Sequence, residues 1–322
     1  MQRSLECLVE EIVVPDVHNN WDIYRRLELI VGPATTRVFI IGDLRNEINP
    51  KRLGEFVPTS YKNTIEAFKR LEEKLHKVIV KYGSETAFNE ALRSGKLAQE
   101  EQELFRQYVT VANELEEVAD ECYAKESAVD YDRHEAEIAK VRKKVPTVLF
   151  HGVPGNHDTR FIEKQVNSVQ WLVYDQQLQN KGIIGAFVCR ENVGETNPRF
   201  NGPNLKYVPF KDDDYDDLAN SELYGDWKDT RIDLMVAHCG GNWGESRKHK
   251  GGLGITQLGK EQGFVCYSGH DHDGIVYRDP ESKVLVIRPG VNHIAKVFRN
   301  GKDVERILMY RVPGPARRRH AD

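Results

Sequence analysis

Apolar and polar positions alternate along this chain in two distinct rhythms. Residues 11–14 and 37–41 are short runs rich in Val and Ile, and each leads to an acidic residue in a polar turn, the pattern of buried strands that feed a site. Between them, residues 21–30 carry apolar side chains at helical spacing. The strand signal returns at 147–152, 183–189, 232–237 and 264–268, and residues 255–262 read as a helix leading into the last of these. Beyond His272, short β-like runs alternate with turns such as Asn300-Gly301. Strands separated by helices in this way predict a layered α/β protein.

The rhythm changes between about Pro58 and Lys144, where Gly and Pro nearly vanish and charge rises. Ile65, Phe68, Leu71, Leu75 and Val78 form one helical stripe, while Leu104, Tyr108, Val111, Leu115, Val118 and Cys122 step by four and three as a heptad seam does. Gly83 interrupts the first run and can end a helix. The segment predicts a helical hairpin or small bundle inserted at about 58–144 into a single α/β domain that takes up the rest of 1–322. Its alternating charge marks a solvated face and favours a packing or homo-oligomerising arm over a lid or a nucleic-acid grip.

Composition narrows the function classes. The 322 residues are 39% hydrophobic, enough for a sizeable core. The longest apolar stretches, 38–41 and 284–287, fall far short of the roughly 20 residues that span a bilayer, and the N-terminus shows no signal-peptide pattern; a cytoplasmic protein with no membrane partner is expected. Five cysteines form no CxxC pair and read as buried thiols in a reducing compartment. A net charge of −4 argues against a general polyanion-binding surface, and the basic tail 316–320 reads as a solvated end. The acidic run 211–217 lacks the spacing and the later Glu of an EF-hand.

Chemistry-bearing residues gather just after the strand runs. The first strand leads into Asp16-Val17-His18, where alternate side chains share one face. The second leads to Gly42-Asp43, the third to Gly155-Asn156-His157-Asp158, the fourth to His238, and the fifth to Gly269-His270-Asp271-His272. Each histidine or aspartate alone would more often be a satisfied polar group than a ligand. Together they supply oxygen and imidazole donors suited to Mn, Fe or Zn.

In this order the five motifs resemble those of the calcineurin-like metallophosphoesterases: DxH, GD, GNHD, a later strand-end His, and GHxH. The resemblance covers about 8–60 and 145–295 and leaves out the helical segment. It implies a four-layer αββα sandwich and two divalent metal ions, manganese foremost. By the same resemblance Asp16, His18 and His272 would hold one ion, Asn156, His238 and His270 the other, and Asp43 would bridge both. His157 would lie beside the metals as a catalytic proton donor, with Asp158 supporting it. The implied reaction is hydrolysis of a phosphate mono- or diester by a hydroxide that bridges the two ions. One departure stands out: Gly42-Asp43-Leu44-Arg45-Asn46-Glu47 ends in Glu47, where the family commonly carries a basic residue and a glycine. Arg45 is the candidate substitute for clamping phosphate.

Rival readings fit less well. Residues 254–260 satisfy GxxxxGK, but Glu261 follows where a P-loop needs a hydroxyl, and 252–257 lack the last glycine of a dinucleotide fingerprint. A non-catalytic scaffold of the same fold should have lost a ligand, and none is missing. A nuclease of the same superfamily is the alternative among enzymes, but the acidic residues of the helical segment would repel a phosphate backbone. A small phosphate ester is therefore the expected substrate.

Overall fold

The computed structural model describes residues 8–46, 50–155, 157–158, 162–172, 181–186, 201–202, 205–206, 227–241, 243 and 253–313. One sheet has six strands in the order β13 (Asp303–Arg311), β12 (His293–Asn300), β1 (Val9–Pro15), β2 (Thr35–Ile41), β3 (Leu149–Val153) and β4 (Gln170–Trp171). A second has five, in the order β10 (Ile275–Arg278), β11 (Leu285–Arg288), β9 (Val265–Ser268), β8 (Leu234–Ala237) and β5 (Ile183–Ala186). A short ribbon pairs β6 (Asn201–Gly202) with β7 (Leu205–Lys206). Strands β1 to β4 run parallel, as do β5, β8, β9 and β11, whereas β12, β13 and β10 pair antiparallel.

The period-two side-chain alternation of each strand sorts its residues into layers. Ile12, Val14, Val38, Ile40 and Phe150 pack against α1 (Asp22–Ile30), the last turns of the long helix described below, and Ile162 and Val166. From the opposite face of the same strands, Val13, Phe39, Ile41 and Val153 meet Leu234, Val236, Val265, Tyr267 and Ile287 of the second sheet. The outer face of that sheet, through Met235, Ala237, Cys266 and Val286, packs on Ile255 and Leu258 of a helix at Leu253–Gln262. These are the layers of an αββα sandwich, the fold class that the motif resemblance implies and a case of the layered α/β protein that the sequence pattern predicts. Residues 254–260, which mimic a phosphate loop in sequence, lie within that last helix. Cys122, Cys239 and Cys266 are buried and form no disulfide with one another, and burial pushes the Cys266 thiol up to about 12. Cys7, Cys189, the acidic run 211–217 and the tail 316–320 lie outside the described residues.

One buried charge cluster links the sheets. Glu11 of β1 is fully buried and accepts from Arg299 of β12 at 2.6 and 2.8 Å, from Arg37 of β2 at 3.1 Å and from the Tyr267 hydroxyl of β9 at 2.8 Å. A buried carboxylate needs such partners to stay ionised.

The chain divides into two compact units, residues 48–127 and the remainder. The smaller unit is helical: α2 (Pro50–Phe56), α3 (Tyr61–Lys81), α4 (Glu85–Arg93) and the first part of α5 (Gln99–Lys144). Leu75, Phe88, Ala91 and Leu97 form its core with Phe105 and Tyr108, and Phe68 stacks on Tyr108 at 5.2 Å between ring centroids. Gly83 follows the end of α3 with φ +79, and Ser84 caps α4 by accepting from the Ala87 N–H at 3.1 Å. The compact helical unit ends at Ser127, whereas periodicity alone suggests a boundary near Lys144. From Ala128 onward α5 belongs to the α/β unit, because Tyr131, Ile138 and Val141 are buried in its core. No helix among the described residues is long and apolar enough to cross a membrane.

Candidate metal centre

Parallel pairing aligns the carboxyl ends of β1, β2 and β3 in one sheet and of β8 and β9 in the other, and every motif starts within a few residues of such an end. Backbone bonds lace the resulting turns together. The His18 N–H donates to the Asp43 carbonyl at 2.7 Å, Asn19 to Leu44 at 2.9 Å, and Gly269 to His238 at 3.0 Å. Glycines allow this approach. A Cβ on Gly42, whose φ is +71, would meet His238 Nδ1 at 2.5 Å, and one on Gly155 would meet Asp43 Oδ1 at 2.1 Å.

Asp43 lies at the middle of the cluster. Its Oδ2 is 3.4 Å from His238 Nε2, 3.6 Å from His18 Nε2 and 3.9 Å from His157 Nε2, while its Oδ1 accepts the His157 backbone N–H at 3.0 Å. Two groups of candidate ligand atoms, each within 4.8 Å, share it: His18, Asp43 and His157, and Asp43, His238 and His270. The structure thus places His157 in a candidate ligand group together with His18, one of the histidines expected to be a ligand. His272 Nε2 is 3.1 Å from His18 Nε2, and His270 Nδ1 is 3.3 Å from His238 Nε2. Ligand bonds of about 2.0–2.2 Å at right to tetrahedral angles put neighbouring donor atoms roughly 3.0–3.5 Å apart, so these pairs are spaced as one cation would space them.

Asp16 is fully buried. Its Oδ1 accepts the His270 N–H at 2.8 Å and lies 3.5 Å from His238 Nδ1. Its Oδ2 is buried with no hydrogen-bond partner among the described residues. Burial, reinforced by the Asp43 charge, raises the Asp16 pKa, and burial and then Asp43 do the same to Asp158. Burial would also raise Asp43, but the surrounding His238, His157 and His18 outweigh it and hold it below the usual carboxylate range. Burial lowers His18 to about 4. A partnerless buried carboxylate oxygen amid imidazole nitrogens is a donor set that fits divalent cations. Asn156, the remaining expected ligand, lies outside the described residues.

No protein-family profile and no curated protein matches the chain. Among solved structures it is similar to the TT1561 protein of Thermus thermophilus, with 10% identity over 95% of this chain and 100% of that one and a TM-score of 0.46. It is also similar to a Staphylococcus aureus protein provisionally assigned as a 5′-nucleotidase and solved with alpha-ketoglutarate, at 13% identity, 96% of this chain, 55% of that one and a TM-score of 0.42. The chain spans about half the length of that second protein.

Asp158 of the third motif and several side chains outside the motifs support the cluster. Asp158 accepts from the Leu44 N–H at 3.0 Å, the Gly155 N–H at 2.9 Å and the Tyr131 hydroxyl at 3.3 Å. His134, one helical turn along from Tyr131, holds Asn19 Oδ1 at 3.1 Å and the Tyr24 hydroxyl at 2.8 Å, and Asn19 in turn donates to Asp130 at 3.2 Å. Tyr131 and His134 repeat at helical spacing with Ile138 and Val141, so in the sequence they read only as a core stripe. Arg45 is 2% exposed, and its charge helps to lower the His134 pKa. Glu47 lies outside the described residues.

Proposed function

We propose that this chain is a metal-dependent phosphoesterase acting on a small phosphate mono- or diester, and the observation that carries the proposal is that one buried carboxylate, Asp43, belongs to two overlapping ligand groups. Asp16, His18 and His272 would hold one cation, Asn156, His238 and His270 the other, and Asp43 would bridge them. Two such cations, Mn²⁺ foremost, supply Lewis acidity toward phosphoryl oxygens and make a nucleophile of water at neutral pH.

The side chains contribute the rest. Imidazole donors bind without cancelling positive charge, which leaves the centre attractive to an anionic ester. His157 is held by its backbone N–H on Asp43 and keeps its side chain 20% exposed, so a ring nitrogen can hand a proton to the leaving-group oxygen as the P–O bond breaks. General-acid help of this kind typically contributes about 10²–10⁴ in rate. Asp158 fixes the turn that carries His157 through its bonds to Leu44 and Gly155.

The decisive experiment assays the purified chain on an aryl phosphomonoester, an aryl phosphodiester and single-stranded DNA, each with Mn²⁺ and with EDTA. Hydrolysis of either aryl ester that EDTA abolishes is the expected result. Cleavage of DNA alone would instead establish the nuclease alternative, and no hydrolysis of any substrate would refute the assignment.

A further inference from the structure

Next to His272 the protein opens a cavity of about 590 Å³, a volume typical of small-molecule sites. Its walls are His272, Ile275 and Val276 at the start of β10, Pro289 and Val291 before β12, and Met309 of β13. The two strands concerned are the edges of the two sheets. Two features give the cavity a chemistry. Val276 and Met309 are 48% and 42% exposed, and covering such apolar surface is favourable. No lysine or arginine lines it among the described residues; its polar lining besides His272 is Asp273, Asn292 and His293, so a second phosphate group would meet a carboxylate and no fixed cation there. His272 joins this wall to the metal centre, since its Nε2 is 3.1 Å from that of His18.

We propose that this cavity seats the alcohol portion of the ester, and that this portion is a neutral apolar or aryl group. The inference rests on the phosphoesterase reading of the adjoining centre and deepens it by naming the substrate's leaving group. A phosphate bound to a cation held by His18 and His272 would lie beside this cavity, whose apolar lining of Ile275, Val276, Val291 and Met309 suits a ring better than a charged or sugar-phosphate chain.

The test uses the full chain with Mn²⁺ and two non-hydrolysable probes, phenylphosphonate and methylphosphonate, titrated by calorimetry. The wild type is expected to bind the phenyl probe about tenfold more tightly. Met309→Lys and Val276→Asn should each bring that ratio close to one, while Leu29→Lys, an exposed apolar residue on α1, should leave it in place. Equal affinity of the wild type for both probes, or a phenyl preference that survives both cavity variants, would overturn the proposal. So would a Met309→Lys variant that changes only the sedimentation behaviour, because the apolar edge would then serve self-association. A retained phenyl preference, erased by both variants, in a protein that hydrolyses no ester would support the cavity and refute the activity instead.

Discussion

The Tyr131 hydroxyl donates to the Asp158 carboxylate across 3.3 Å, tying a helix that holds none of the five motifs to the acid that braces two of them. A buried hydrogen bond of this length contributes about 1 kcal/mol. Tyr131→Phe is therefore expected to fold, to lose roughly that much stability, and to slow ester turnover severalfold while keeping its metal content. Asp158→Ala strips partners from two buried amide groups as well and should lose more of both stability and activity. Urea unfolding and steady-state kinetics on the two variants check the order.

His157 lies within 4.8 Å of His18 and Asp43 donor atoms, which suits either a ligand or a proton donor. If it serves proton transfer, His157→Ala retains its cations and loses about 10²-fold or more in turnover, whereas Asp43→Ala loses the cations too. Elemental analysis of both purified variants decides between the roles. Equal metal loss in the two would make His157 a ligand.

His134 sets an acid limit to stability. Burial, helped by Arg133 and Arg45, lowers its pKa to about 3. An unfolded histidine titrates near 6.5, so below that pH the unfolded chain takes up a proton that the folded chain refuses. Stability from this group is complete above about pH 6.5 and falls as pH drops toward 3, by at most about 1.4 kcal/mol per pH unit. The wild type should thus lose about 2 kcal/mol between pH 7 and pH 5 that His134→Gln does not lose. Urea midpoints at the two pH values measure the difference.

Glu11 holds two arginines and a tyrosine from three other strands. Glu11→Ala leaves the Arg299 charge buried without its carboxylate, and a cost of about 3–5 kcal/mol is expected. Thermal unfolding that shifts by less than a few degrees would show that solvent or another acid has replaced it.

How much of this could be read from the residues depends on what each signal encodes. Short Val- and Ile-rich runs ending in Asp16, Asp43 and His238 disclosed both the strands and the aligned ends that gather the donors, because a strand's period and its turn chemistry are local. The helical stripes around Leu75 and Tyr108 were legible for the same reason. The change of partner within α5 was not: its apolar spacing continues unbroken past Ser127, and periodicity says which face is covered but not by what. Tyr131 and His134 were hidden in that same face. Arg45, a candidate phosphate clamp by its place after Asp43, is buried close to His134, a fate no local pattern specifies.

His18, Asp43 and His270 all hold backbone φ between 44 and 65, a left-handed region that side chains other than glycine disfavour by about 1 kcal/mol or more each. That cost is met while the polypeptide folds, with the inter-sheet interior supplying the driving force. Cation uptake would then have little main chain left to rearrange, so the candidate centre should behave as a rigid chelator: quick to load, nearly silent in amide exchange of the surrounding strands, and selective by the fixed spacing of its donor atoms.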